Sequence, residues 1–140
     1  WMTKESRLSE ISDYVNYLDA VYNEVLDGLA VENLTVKVLG FSQGAAAVCR
    51  WLCMGRAKAG QIIVWAGAIP DDLDFNKLNM VLNGRPLNLV IGKNDEFIGE
   101  ELLNAYLNFL KIKNVNYNLV CYNGGHEINA GVLINLAGQG

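Results

Sequence analysis

Short apolar segments alternate with longer amphipathic ones along this chain. Four segments have the length and the β-branched, apolar content of buried strands: residues 35–41, 61–65, 87–91 and 115–122. A strand without polar residues on either face must be covered on both faces, so the pattern predicts an α/β fold: a parallel sheet with helices on both faces and right-handed crossovers. Ligands bind beyond the carboxyl ends of the strands in such sheets, and functional residues are expected there.

The intervening segments have the three-to-four-residue apolar spacing or the end-charge pattern of helices. Four helices are predicted: residues 5–29, residues 43–52, residues 100–113 and a closing helix from Ile128 that stops at Gly138. Between Trp65 and Leu87 the sequence predicts a loop that contains Pro70, followed by a turn at residues 83–86.

Composition excludes several classes of protein. With 140 residues, 51% hydrophobic and 19% charged, the chain has apolar material for one core, and a single domain over residues 1–140 is predicted. A net charge of -4 leaves no basic surface for nucleic acid or an anionic membrane. No apolar run reaches the roughly 18 residues of a membrane span, and no signal peptide is evident. A soluble, cytoplasmic protein without membrane insertion is therefore expected.

The cysteines and the histidine predict neither a disulfide framework nor a metal site. Cys49 and Cys53 lie one helical turn apart, while the single histidine, His126, is distant in sequence, so too few ligands are available for zinc. The thiols are expected to be buried and to pack as small hydrophobic groups. No metal and no cofactor are predicted.

A G-x-S-x-G pentapeptide, GFSQG, follows the first predicted strand and precedes a predicted helix. That context is typical of a nucleophile elbow, in which a sharp turn with strained φ exposes the serine hydroxyl. Gly40 and Gly44 would let strand and helix approach without a Cβ clash. Ser42 is thus the candidate nucleophile, and the backbone N–H of Gln43, at a helix N-terminus, is the candidate oxyanion donor.

An acid and a base follow the next strands in the order that a catalytic triad requires. Asp95 comes after the third strand, and His126 comes after the fourth. A serine hydroxyl is a weak nucleophile near neutral pH, so His126 would remove its proton while Asp95 fixes the tautomer of the imidazole. The rival acids are Glu96, beside Asp95, and the pair Asp71 and Asp72 after the second strand.

GFSQG, the Asp95 turn and the GGHEI segment resemble the motifs of the phospholipase/carboxylesterase family of α/β hydrolases, which includes the acyl-protein thioesterases. The resemblance runs over nearly the whole chain. It implies an α/β-hydrolase fold, a Ser42–His126–Asp95 triad, and hydrolysis of carboxylic esters or thioesters without a metal or organic cofactor. In the family the loop after the second strand borders the substrate, so Trp65 is a candidate substrate-binding residue, with a core position as an equal alternative.

The chain departs from the family pattern in two places. The family's turn continues into small apolar residues and proline, whereas Glu96, Phe97 and Ile98 follow here, so Phe97 and Ile98 are candidate substrate-binding residues. An α/β-hydrolase core has about eight strands, and only four can be identified, without the family's second oxyanion loop. Together with Trp1 before Met2, this suggests an N-terminally truncated fragment with at most weak activity of its own. Its open sheet edge is expected to be covered by a helix, the missing segment, a partner subunit or another copy.

The motifs together predict a serine hydrolase that cleaves a small or medium carboxylic ester through an acyl-enzyme. A thioesterase or a lysophospholipase would use the same catalytic groups and differ in the pocket. An inactive fragment that serves as a binding or scaffold module is the alternative from another class, since the predicted sheet is incomplete. The sequence does not specify the acyl-chain length, the physiological substrate or the oligomeric state.

Overall fold

The computed structural model describes residues 6–29 and 34–138. Within these ranges the elements are α1 (Arg7–Asp27), β1 (Lys37–Phe41), α2 (Gln43–Met54), β2 (Gln61–Trp65), α3 (Phe75–Leu82), β3 (Leu87–Gly92), α4 (Glu100–Ile112), β4 (Tyr117–Tyr122) and α5 (Ala130–Ala137). The predicted start of the first helix, Glu5, lies outside the described residues. No helix within these ranges has the length and apolarity needed to cross a membrane.

The four strands form one parallel sheet in the order β1-β2-β3-β4. Lys37 pairs with Gln61 at one end of the β1–β2 ladder, and Phe41 pairs with Trp65 at the other. The predicted parallel α/β sheet is thereby confirmed, and the loops that follow the strands lie at a common edge. β4 begins two residues later than predicted because the backbone N–H of Val115 bonds to Leu110 O and closes the end of α4.

Helices cover the sheet unequally. Alternate residues of β2 point to opposite faces: Ile62 and Val64 pack in the core beneath α1–α4, whereas Ile63 and Trp65 pack in a smaller core against α5. Lys37 and Gln61 reach from the sheet to the last carbonyl groups of α5 and help to fix that helix. The two layers leave the carboxyl ends of the strands free for a site.

The structure contains one helix that the sequence reading places in a loop. In α3, the Asp74 side chain caps the N-terminus by accepting hydrogen bonds from the backbone N–H groups of Asn76 (3.0 Å) and Lys77 (3.2 Å). Phe75, Leu78 and Leu82 are buried against the sheet. The eight residues of α3 cover the same face of the sheet as Ile62 and Val64.

Candidate active site

Ser42 occupies a strained turn between β1 and α2. Its φ of 52° and ψ of -119° lie outside the regions that non-glycine residues favour, and its backbone N–H donates to Trp65 O at 2.8 Å. A Cβ on Gly40 would lie 2.5 Å from Gly44 O, so this glycine is required for the turn. A Cβ on Gly44 would meet nothing within 4 Å, so the expectation that both glycines prevent a clash holds for Gly40 alone.

His126 lies between Ser42 and Asp95 and hydrogen-bonds to both. The imidazole Nε2 is 3.0 Å from Ser42 Oγ, and Nδ1 is 2.9 Å from Asp95 Oδ2. The Asp95 side chain is fully buried, while 18% of the His126 side chain is exposed. The structure thus brings together the three residues that the sequence reading singled out, in the order that serine activation requires.

The second carboxylate oxygen of Asp95 is also bound. Oδ1 accepts hydrogen bonds from the backbone N–H groups of Phe97 at 2.9 Å and Ile98 at 3.2 Å. A buried carboxylate with all these donors is held in one orientation and does not swing away from the imidazole.

Glycine at position 92 lets the loops of Asp95 and His126 pack backbone to backbone. A Cβ there would lie 2.4 Å from both Gly124 O and Gly125 O. Across this contact the N–H of Asn94 donates to Gly124 O at 3.0 Å. The distance between Asp95 and His126 therefore depends on the absence of a side chain at Gly92.

Substituting Gly92 with alanine is expected to separate these loops. The added methyl group forces a backbone shift, which costs about 1–3 kcal/mol of unfolding free energy, as overpacking commonly does. Urea denaturation followed by circular dichroism measures the loss. Gly28→Ala is the matched control, because its added Cβ would lie 3.6 Å from the nearest atom, Glu24 O. Equal stability of the two variants would contradict this account.

Gln43, the predicted oxyanion donor, is the first residue of α2 and lines the groove beside Ser42. The N–H groups in the first turn of a helix have no acceptor within the helix and point toward its N-terminal end. When Ser42 Oγ adds to a substrate carbonyl carbon, the negative charge that forms on the carbonyl oxygen would meet this end of the helix dipole.

A groove of about 690 Å³ opens above Ser42 and His126. Its remaining lining consists of Gln43, Ala46, Ala66, Gly67, Ala68, Phe97 and Ile98. Phe97 is 64% exposed and packs edge-on against the His126 ring, at a centroid distance of 4.8 Å. Phe97 and Ile98, the candidate substrate-binding residues, thus line the groove together with small residues of the loop after β2.

The position of Trp65 corrects the expectation that it borders the substrate. Its side chain has no exposed surface and packs in the core beneath α5, where its ring contacts that of Tyr122. The alternation of β2 turns Trp65 to this face, and the chain then bends at Ala66, whose φ is 47°. The core alternative is therefore the correct one.

Phe41 is a neighbour of the site that sequence reasoning missed. Its ring lies 5.0 Å from the His126 ring, centroid to centroid. The sequence could have identified Phe41 from its position in β1 directly before Ser42. Strand alternation turns its side chain to the face of the sheet on which α5 packs.

The rival acids lie elsewhere or point into solvent. Asp72 binds Arg50 at 2.9 Å and also Arg7. Partial burial opposes ionisation of Asp72, but the hydrogen bond and charge of Arg50 outweigh it and lower its pKa. Asp71 and Glu96 are exposed. Asp95 is therefore the carboxylate that the structure places on His126.

The cysteines differ in their surroundings. Cys49 is fully buried, and this burial raises the pKa of its thiol to about 12, which keeps it protonated. Burial likewise raises the pKa of Cys53 to about 11. Cys121 is exposed on β4, contrary to the expectation of buried thiols. Across the described residues no group of three or more His, Cys, Asp or Glu side chains is arranged to hold a metal.

The family model described as Phospholipase/Carboxylesterase matches residues 2–137 of the chain. A comparison with curated protein sequences found no significant match.

Solved structures share the fold. SOBER1 from Arabidopsis thaliana is 25% identical, with a TM-score of 0.65, and the match covers 91% of this chain and 61% of that one. Acyl-protein thioesterase 2 from Zea mays is 20% identical, with a TM-score of 0.53, and the match covers 87% of this chain and 62% of that one. The Bacillus cereus carboxylesterase is 14% identical, with a TM-score of 0.61, and the match covers 91% of this chain and 59% of that one. The chain spans about three fifths of the length of these proteins.

Proposed function

The chain belongs to the phospholipase/carboxylesterase family of α/β hydrolases, and from this premise we propose that it is a serine hydrolase acting on small or medium carboxylic esters. The observation that carries the proposal is the continuous contact from Ser42 Oγ through the His126 ring to Asp95, at 3.0 and 2.9 Å. A strained serine at the start of a helix adds support, because such strain clusters at functional sites.

Each residue has a role that its contacts support. His126 takes the proton of Ser42 as the hydroxyl attacks the ester carbonyl, and Asp95 stabilises the imidazolium that forms. The N–H of Gln43 stabilises the oxyanion of the tetrahedral intermediate. His126 then gives the proton to the departing alkoxide, leaving an acyl group on Ser42. Water, activated by His126, releases the acid and restores the serine.

The lining of the groove favours a substrate whose bound acyl group carries no charge. Its lining, within the part of the chain that the structure describes, includes no Asp, Glu, Lys or Arg. Phe97 and Ile98 form an apolar wall, and a charged acyl chain placed against it would lose hydration without gaining a partner. Its volume of about 690 Å³ lies within the range of small-molecule sites.

Turnover of a series of p-nitrophenyl esters tests the proposal. Acetate, butyrate and octanoate esters are expected to exceed palmitate by at least about tenfold in kcat/KM, or about 1.4 kcal/mol of differential transition-state binding. The butyrate ester is expected to exceed the butyryl thioester by a similar factor once each rate is divided by that of uncatalysed hydrolysis. Ser42→Ala supplies the background rate. A preference for the thioester would favour the thioesterase alternative, and a preference for palmitate would favour a lysophospholipase.

The remaining alternative is a binding or scaffold module without catalysis. It predicts that the groove takes up esters without turning them over. An ester series in which the chain and Ser42→Ala give the same rate for every member would favour that alternative.

A further inference from the structure

Two buried aromatic side chains lie beneath the loop that carries His126. Trp65 ends β2 and Tyr122 ends β4, and their ring centroids are 5.6 Å apart. Trp65 is 0% exposed and Tyr122 is 6% exposed. Both therefore belong to the sheet core and not to the groove, and neither has a role in the chemistry proposed above.

The polar atoms of this pair bind carbonyl groups on both sides of His126. Trp65 Nε1 donates to Glu127 O at 2.8 Å and lies 3.3 Å from the Tyr122 hydroxyl. The Tyr122 hydroxyl is within reach of Glu127 O and lies 3.0 Å from Gly125 O, and its single proton serves one of these carbonyl groups at a time. The backbone before and after the histidine is thus anchored to the core.

Packing alone does not account for these polar atoms. The surrounding core consists of apolar residues such as Ile63, Val90 and Leu136, among which a phenylalanine ring would pack without placing an N–H or O–H away from water. The hydrogen bonds to the loop give both groups the partners that buried polar atoms require.

We infer that Trp65 and Tyr122 are positioning residues, which fix the backbone around His126 so that Nε2 meets Ser42 and Nδ1 meets Asp95. The kinetic consequence rests on the proposed function. The placement of the imidazole does not, so it can be measured separately.

Kinetics of Tyr122→Phe and Trp65→Phe test the kinetic consequence of this positioning role. Both changes keep an aromatic ring and remove donors to the loop. We expect kcat to fall about tenfold to a hundredfold, since a misplacement of about 1 Å can cost a factor on the order of 100, while KM stays near that of the parent. Matched controls are Tyr22→Phe, which loses a bond to Lys58 O, and Trp51→Phe, which loses one to Asp19.

Nuclear magnetic resonance of the imidazole tests the placement itself. His126 is the only histidine in the chain, so its ring N–H signal in ¹⁵N-histidine-labelled protein is assigned without ambiguity. The Nδ1–H bonded to Asp95 should give a downfield signal in the parent and in both controls. The signal should broaden or disappear in Tyr122→Phe and Trp65→Phe, measured at a temperature where thermal melts show the proteins folded.

The outcomes separate the inference from the proposed function. Parent-like kcat together with a parent-like His126 signal in both variants would overturn the positioning role. A fall in kcat with an unchanged signal would also overturn it, because the effect would then not pass through the histidine. A parent that hydrolyses no ester, with the signal lost only in the two variants, would reject the proposed function and leave the positioning role supported. If one variant does not fold, the other carries the test.

Discussion

Replacing His126 with alanine is expected to lower kcat by about six orders of magnitude, and Ser42→Ala should do the same. The imidazole is the only base within hydrogen-bond distance of Ser42 Oγ among the described residues, at 3.0 Å. Without the imidazole the serine hydroxyl keeps its proton during the attack, and without the hydroxyl no acyl-enzyme can form. The double substitution should cost no more than either single one, since residues that act as a unit are not additive.

Rates with p-nitrophenyl butyrate measure this prediction, with Ser9→Ala as the matched control. Ser9 is exposed on α1, outside the groove lining. Activity in the His126 variant above one thousandth of the parent rate, or losses that add in the double variant, would mean that the two residues do not work together.

Asp95→Asn is expected to lower kcat by about four orders of magnitude while the protein keeps its fold. The amide preserves the shape of the carboxylate, but it cannot hold the imidazole in the tautomer that leaves Nε2 free to accept the serine proton. It also removes the charge that stabilises the imidazolium. The measurement is kcat with the same ester, alongside a thermal melt.

The rival acids supply the controls for this second prediction. Asp72→Asn should reduce stability, because Arg50 is nearly buried and loses its ionic partner, while kcat stays near that of the parent. Asp71→Asn and Glu96→Gln remove exposed carboxylates and should change little. A four-decade loss at Asp72 with normal Asp95→Asn would move the catalytic acid to the end of β2.

The sheet was predictable because its strands are short and rich in apolar residues, and because the central strands β2 and β3 are buried along nearly their whole length. β2 is found at Gln61–Trp65, as predicted, and β3 extends only one residue further than expected, to Gly92. The helix α3 was not predicted because its eight residues provide little periodicity, and its capping acid, Asp74, follows other loop-forming acids. Its hydrophobic side chains can be recognised as one face of a helix only when the sheet that they cover is known.

The candidate site was predictable to the extent that topology determines it. Parallel strands bring the loops after β1, β3 and β4 to one edge, so Ser42, Asp95 and His126 could be expected to meet although 84 positions separate the serine from the histidine. Which side of the sheet Trp65 faces was not readable, because that depends on where α5 packs. The anchoring of the histidine loop was equally hidden, since its acceptors are backbone carbonyl groups.

Labelling with a fluorophosphonate, followed by peptide mass spectrometry, tests the central claim most directly. Such probes react with serine hydroxyls that a neighbouring base activates. We expect one adduct, on Ser42, that is absent from Ser42→Ala, from His126→Ala and from protein unfolded in urea. The same protein should remain unlabelled at exposed Ser9. Folded protein that forms no adduct at Ser42, or that reacts equally after loss of His126, would contradict the account.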